Sequence, residues 1–415
     1  MTLSVKTIEL QEYRSRRLPK SEIRREDAVQ LANLYRKQVS LVPPSFMNDD
    51  QWELCSQGYV GSIRVSQELS LVIAPKVGVG NLFRMLEYAH DLARFEREGL
   101  TETSSLDDFF ESLAAILAER VLDRARRGFY RTYLETDDAL PYVRGTIDVG
   151  EVFQRPCRIR LPCHFEEHTA DVEENQILSF TLQRIARSSS LTPRIRPRVS
   201  RAYRSLAGLA PPRRFSPTSC VGRLYHRLNE DYRALHALCR FFLENCGPMH
   251  ARGDRGMVPF LVDMSLLFER FVAKWLKANL PDHLRLRTQE RVEVGADTGI
   301  NFHIDMVLYD RRTGVPLAVL DTKYKAHEKS KPDDVQQILS YAAVKGCRHG
   351  FLIYPSDKTA EMEAMVESGY HIGTMRLPLA GDVEEAGRLF RDELLSKLGA
   401  LHRPALEERA RTRLS

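Results

Sequence analysis

The chain has 415 residues, 43% of them hydrophobic and 28% charged, with a formal net charge of +5; that length and apolar share support two or three domains with proper cores. Its mild basicity permits nucleic acid as a partner without requiring it. There is no run of about eighteen apolar residues, and the opening MTLSVKTIELQEYRSRR lacks an apolar core of signal-peptide length, so neither membrane spanning nor secretion is expected. Seven cysteines, at 55, 157, 163, 220, 239, 246 and 347, include no C-x-x-C pair, which argues against a zinc ribbon or disulfide framework and for reduced thiols in a cytoplasmic protein.

Residues 1–95 read as a small β-rich unit. Short alternating stretches at 5–10, 51–55, 58–65 and 69–74 predict strands, with Pro43-Pro44 as punctuation. The last strand runs into PKVGVGNLFRMLEYAHDL, where Asn81 is placed to cap a helix whose Leu82, Met85, Leu86 and Ala89 share one apolar face. Gly78-Val79-Gly80 begins a glycine-rich phosphate motif, but Phe83 stands where its third glycine belongs. No G-x-x-x-x-G-K-[ST] occurs anywhere, so no nucleotide-hydrolysing engine is expected in this chain.

The stretch 104–127, SSLDDFFESLAAILAERVLDRARR, predicts an amphipathic helix with Phe109, Leu113, Ile116, Leu117 and Val121 inward. Asp107 and Asp108 suit the positive end of its dipole and Arg124, Arg126 and Arg127 the negative end; phosphate contact is the other reading of those arginines. A hairpin-like pair of strands and a helix starting near Asp171 come next. There His164-Phe165-Glu166-Glu167-His168 fits the H-x-x-E-H pattern of a zinc peptidase, which needs both histidines one turn apart on a helix. Residues 158–165 alternate like a strand with Pro162 inside, and Asp171 with Glu174 supplies a helix start only afterwards, so the motif is expected to straddle a boundary, with Glu167 or His168 serving a loop or domain contact. Residues 188–218 concentrate Ser, Pro and Arg; Arg194, Arg196, Arg198, Arg201 and Arg204 form the densest basic run. A segment tracking a DNA backbone, a solvated connection between helices and a dock for an acidic protein surface all fit it. A helix over 225–243, with Leu235, Leu238, Phe241 and Phe242 as core, closes the middle region.

The C-terminal region opens with MVPFLVDMSLLFERFVAKWLK, a helix with Leu266, Leu267, Phe271 and Trp275 facing the core and Glu269 among them, where a carboxylate is costly unless paired or bound to metal. A strand over 284–294 carries Arg285, Arg287 and Arg291. In NFHIDMVLYD, Phe302, Ile304, Met306 and Leu308 share one strand face, and Asp305 lies on the other with His303 and Val307. After the Arg312-Thr313-Gly314 turn, residues 317–320 form the unbroken apolar run of a strand buried on both sides, ending in Asp321 and Lys323, which point the same way. Antiparallel pairing would bring Asp305 to them. Two carboxylates and one ammonium suit phosphodiester cleavage: carboxylate oxygens hold Mg²⁺, the metal polarises the phosphate and activates a water, and a lysine orients that water. Taken singly, each residue reads equally well as a turn residue at a strand end or a solvated rim charge. A helix over 333–345 then aligns Asp334, Gln337 and Tyr341 on one face. A strand over 349–354 follows, and beyond Leu379 the chain turns helical and charged, with a frayed tail at ERARTRLS.

A lone Asp followed sixteen residues later by Asp-Thr-Lys resembles the PD-(D/E)XK nuclease superfamily, and LDTKYK followed by D-x-x-Q-x-x-x-Y resembles its McrC branch, the nuclease subunit of modified-cytosine restriction systems. The segments YVGSIRV, LVIAPKVGVGNLFRMLEYA, R-G-x-I-D, E-x-x-x-D-x-x-x-N and D-M-x-x-L-F-E-x-F-V are also similar to McrC, so the resemblance covers most of the chain, with LDTKYK its most specific part. One departure is Ile304, where a proline often precedes the first Asp.

The expected architecture is α/β (α+β): an N-terminal β-rich partner-binding domain over 1–100, a middle helical and hairpin region over 101–250, a PD-(D/E)XK restriction-endonuclease-like domain with an αβββαβ core over 251–380, and a charged helical tail over 381–415. The resemblance implies Asp305, Asp321, Lys323, Glu269, Gln337 and Tyr341 as catalytic residues, with Asp305, Asp321 and Glu269 holding Mg²⁺, for which Mn²⁺ substitutes. It also implies DNA as substrate and a hexameric McrB-like AAA+ GTPase as partner. A non-catalytic activator or scaffold of an AAA+ NTPase is the alternative, although a scaffold has no need of the Asp305, Asp321 and Lys323 set. A zinc hydrolase using His164 and His168 is the third.

Overall fold

The computed structural model describes residues 6–66, 68–90, 106–154, 159–188, 191–246, 259–294, 300–325, 331–356, 361–366 and 369–412. Val5, Ser104, Ser105, Cys157, residues 189–190 of the basic run and residues 413–415 lie outside them, as do the side chains of residues 400–412. The chain divides into two compact units, residues 1–95 with 261–415 and residues 96–260.

The first part of the larger unit comprises β1 (Lys6–Gln11), β2 (Ser15–Pro19), α1 (Arg25–Leu34), β3 (Val39–Val42), β4 (Gln51–Ser56), β5 (Tyr59–Arg64), β6 (Leu69–Ala74) and α2 (Val79–Ala89). The strands follow the two-residue alternation: Ile8 and Leu10 of β1, and Leu69, Leu71 and Ile73 of β6, point into a common core. β1 pairs parallel with β6, and β4 pairs antiparallel with both β2 and β3. α1, β2 and β3 are elements the alternation did not signal. Leu82, Met85, Leu86 and Ala89 of α2 are buried as expected. Asn81 does not cap this helix, which starts two residues earlier; its side chain instead donates to the carbonyls of Leu379 and Gly381, at 2.9 and 2.7 Å.

The smaller unit holds α3 (Leu106–Arg127), β7 (Thr132–Leu140), β8 (Thr146–Ile147), α4 (Val149–Gln154), β9 (Leu161–Thr169), α5 (Glu173–Ala186), α6 (Arg196–Ala207) and α7 (Tyr232–Asn245). α3, α5, α6 and α7 pack together, and α3 meets α7 through edge-on aromatic pairs such as Phe110 with Phe242, ring centroids 5.2 Å apart. β9 pairs antiparallel with β7 and β8. Three expectations do not hold in this unit. The H-x-x-E-H motif straddles nothing, because β9 runs on to Thr169 and contains all five residues. The last helix starts at Tyr232 rather than 225. The basic run is no simple connection: α6 forms within it, Pro197 lies in the first turn where its missing N–H costs nothing, and Val199, Ala202 and Leu206 are buried.

The second part of the larger unit comprises β10 (Phe260–Asp263), α8 (Met264–Asn279), β11 (Leu284–Val294), β12 (Ile300–Asp310), β13 (Pro316–Thr322), α9 (Pro332–Lys345), β14 (His349–Tyr354), β15 (Glu363–Met365), β16 (His371–Arg376) and α10 (Val383–Thr412). One sheet runs in the order β11-β12-β13-β14-β16-β15, with β11, β12 and β13 antiparallel and β13, β14 and β16 parallel. β10 joins β5 in the other sheet, and Leu261 enters the core of the N-terminal strands. Asp263 caps α8, accepting from the Ser265 and Leu266 N–H groups. Leu266 is 39% exposed and not a core residue; Phe268, fully buried, takes that role. α9 rests closely on β14 because Gly350 leaves room: a Cβ there would lie 2.8 Å from Cγ1 of Ile338. α10 continues to Thr412, well into the stretch expected to fray. No helix among the described residues is long and apolar enough to cross a membrane.

Candidate active site

β12 and β13 pair with Met306 opposite Leu320 and Val307 opposite Val319, so the same register continues to Asp305 opposite Asp321. Both residues sit where the apolar core stops. Ile304, Met306, Val307 and Leu308 are fully buried while His303 is exposed, which leaves Asp305 half-buried at the rim, its carboxylate accepting from the Thr322 N–H. Asp321 closes the apolar run 317–320 and its side chain is only 3% exposed.

Lys323 is fixed from three sides. Its ammonium lies 2.9 Å from Oδ2 of Asp321 and 3.5 Å from Oδ1 of Asp334, and donates to Oε1 of Gln337 at 2.8 Å. Gln337 in turn donates from Nε2 to the Tyr341 hydroxyl at 2.7 Å, and the Tyr341 ring packs edge-on against Phe302 at 5.6 Å. The expected helical face of Asp334, Gln337 and Tyr341 thus does one job: it orients Lys323. Glu269 approaches from α8, its Oε1 accepting from Nε2 of Gln289 at 2.5 Å.

The electrostatics are those of negative charge in excess. Burial, then the charge of Glu269, raises the Asp305 pKa to about 6 against the pull of Lys323. Burial also raises Asp321 to about 6, again with Lys323 opposing and Asp305 adding to the rise. Glu269 is raised by burial, with Asp321 contributing. Burial pulls the Lys323 ammonium down, but Asp321 and Asp334 outweigh it and hold its pKa above the usual value. Oδ2 of Asp321 is buried and, although Lys323 stands at ion-pair distance, it accepts no aligned hydrogen bond. Hard carboxylate oxygens with raised pKa values and an unsatisfied lone pair fit a small divalent cation. Among the described residues no three His, Cys, Asp or Glu side chains gather closely enough to cage a metal. Two carboxylates are the share a protein supplies to an ion that completes its shell with water and substrate phosphate, as Mg²⁺ does.

Other predicted residues fall elsewhere. On β9, His164 and His168 lie four residue steps apart, about 13 Å, too far to share one ion. His164 contacts Asp137 and Asp148, and His168 stacks on Tyr133. Both lie in the smaller unit, as does the basic run. In that run Arg196 is committed to structure, donating to the carbonyls of Ala186, Ser188 and Leu191. Arg194, Arg198, Arg201 and Arg204 are exposed. Sequence reasoning missed Gln289 altogether: nothing marks a glutamine in an ordinary strand as the partner of Glu269.

A comparison with curated proteins found no match. Among solved structures the chain is similar to one from the refined half-complex of a tetradecameric assembly of Thermococcus gammatolerans McrB AAA+ hexamers with bound McrC. The identity is 19% and the TM-score 0.56, over 94% of this chain and 100% of that one, which is a likeness of fold. A second match is the Thermococcus gammatolerans McrBC complex, at 20% identity and a TM-score of 0.42 over 68% of this chain and 90% of that one. A family model described as the McrBC 5-methylcytosine restriction system component matches residues 54–355. That match spans well over half of the chain, from β4 through the whole smaller unit to β14, and on it the chain belongs to the McrBC 5-methylcytosine restriction system component family.

Proposed function

We propose that this McrBC-family chain is a Mg²⁺-dependent DNA endonuclease subunit of a modified-cytosine restriction system, working in the cytoplasm with an AAA+ GTPase partner. The observation that carries the reading is Asp305 opposite Asp321, with the Lys323 ammonium 2.9 Å from the latter and pinned by Asp334 and Gln337. The element order α8-β11-β12-β13-α9-β14 supports a PD-(D/E)XK core. The McrB AAA+ hexamers in the similar complex support a GTPase partner, as does the lack of a phosphate loop in this sequence.

Asp305 and Asp321 would hold Mg²⁺, or Mn²⁺ in its place, with Glu269 a further carboxylate for the ion or its waters. When bound, the ion supplies Lewis-acid polarisation of the phosphate and a lowered pKa for water. Lys323 supplies a fixed positive charge and an N–H donor to orient the attacking water. Gln337 keeps that donor in place because its own amide is fixed by Tyr341. Electrostatic groups held in place before the reaction need no rearrangement during it.

The test is cleavage of methylated DNA by the chain together with its GTPase. Asp321→Asn and Lys323→Ala should each abolish cutting, by about 10²-fold or more, while GTPase binding is retained. Mg²⁺-dependent cutting by either variant at the parent rate would overturn the site. Stimulation of the GTPase by a parent chain that cuts no DNA would favour the activator reading instead.

A further inference from the structure

Gln289 has a left-handed backbone, φ +53°, in the middle of β11. The ladder is regular on both sides of it: Thr288 pairs with Met306 and Glu290 with Ile304, so the register sets Gln289 opposite Asp305. A residue in that place normally shares the strand face of its partner. The Gln289 amide donates to Oε1 of Glu269 at 2.5 Å, yet the backbone that presents it is not that of a regular strand residue. L-residues other than Asn, Asp and Gly seldom adopt this conformation, and inside a strand it forfeits regular geometry. Packing does not require it, because the Gln289 side chain is exposed. Turn chemistry does not either, since the strand continues for five residues beyond.

We infer that Gln289 is a positioning residue of the cleavage site, kept in a strained conformation so that its amide fixes the Glu269 carboxylate beside Asp305 and Asp321. The inference rests on the nuclease reading above and deepens it. Strained backbone clusters at active sites and ligand clamps, where the surrounding structure holds it in place. The amide can play this part because it donates to a carboxylate without bringing a positive charge that would compete with a cation.

Gln289→Gly tests this, because glycine adopts φ above zero without strain and carries no amide. The full chain is compared with Gln289→Gly, Glu269→Gln and the double variant in three measurements: thermal unfolding without metal, Mn²⁺ affinity by calorimetry, and cleavage with the GTPase. Gln289→Gly should unfold at or above the parent's temperature, bind Mn²⁺ several-fold more weakly and lose about 10-fold in kcat with KM unchanged. The double variant should match Glu269→Gln in Mn²⁺ affinity and kcat, as expected when two residues act through one group. A fall in unfolding temperature for Gln289→Gly would make the residue structural and overturn the inference, as would parent-like Mn²⁺ affinity and kcat, or losses that add in the double variant. If the parent chain fails to cut DNA, the nuclease reading falls, while the unfolding and Mn²⁺ measurements still decide the role of Gln289.

Discussion

Asp305 and Asp321 store an electrostatic cost that the rest of the fold must carry. Both carboxyls are raised to about 6, against about 3.9 for an unstructured Asp, so the folded chain binds these protons more tightly than the unfolded one. The stability associated with the protonated pair is therefore present in full below about pH 4 and is lost as pH rises through about 6. Asp321 is almost fully buried, so its share is on the order of 3 kcal/mol, given about 1.4 kcal/mol per pKa unit; the pull of Lys323 is already contained in that net rise. Asp321→Asn has no proton to lose over this range. Chemical denaturation of metal-free protein at pH 4.5 and pH 8 should accordingly show the variant losing less stability with rising pH than the parent, a difference in which groups remote from the site cancel. An identical pH profile for the two proteins would mean that Asp321 is not held under charge stress. This is also where the sequence is most legible. A carboxylate ending an apolar run, with an ammonium two residues on, has its face dictated by the strand repeat, and the strand places both side chains at the rim. Gln289 is illegible for the opposite reason: a φ above zero on a glutamine leaves no trace in residue order.

At the scale of elements, α6 shows how composition misleads. Pro and Arg suggest an irregular connection, yet a proline in the first turn favours a helix start, and Val199, Ala202 and Leu206 supply a narrow apolar stripe that is enough where α3 and α5 receive it. Its arginines then divide by role. Arg196 closes three backbone carbonyls that end α5 and begin the following loop; Arg196→Ala should destabilise the smaller unit by about 2 kcal/mol, the scale of orphaned acceptors, which urea unfolding would measure. Arg198, Arg201 and Arg204 follow one another at three-residue steps, so they share one helix face, and all are exposed. If that face tracks DNA, changing these three to Ala should reduce the salt slope of binding by about 0.9 for each phosphate left without its cation, with sequence preference unchanged. DNA affinity measured across a salt series is the check, and an unaltered slope would mean that this face does not track DNA. Strand β9 gives the complementary lesson: H-x-x-E-H names a helical geometry, and the alternation around Pro162 already argues for a strand, although not that it would run past His168.

At the scale of the molecule, the larger unit is built from the two ends of the chain, and pairing across so long a separation cannot be read from local pattern. What fastens the ends is specific. Glu384 on α10 accepts from Nε and Nη2 of Arg84 at 2.8 and 2.6 Å, from the Tyr88 hydroxyl at 2.9 Å and from the Trp275 ring N–H at 3.0 Å. One carboxylate thereby ties α2, α8 and α10 together, and Gly387 presses on the Trp275 ring, where a Cβ would come within 2.5 Å. A second tie is buried: the Tyr324 hydroxyl, next to Lys323, donates to Glu12 at 3.1 Å. The same α8 carries Glu269, so loosening this clasp should reach the candidate site through the helix. Glu384→Ala leaves the guanidinium, phenol and indole donors without their acceptor, at a cost of about 3 kcal/mol from several charge-assisted bonds removed together. Glu384→Gln, which keeps one carbonyl oxygen, should cost about half as much. Urea unfolding of the two variants should therefore rank parent, Gln, Ala in falling midpoint, with cleavage by the Ala variant reduced even where it remains folded. If Glu384→Ala unfolds within about 0.5 kcal/mol of the parent, the range of an ordinary surface change, this clasp does not hold the ends together, and the apolar core around Leu261 with the remaining ties must do so.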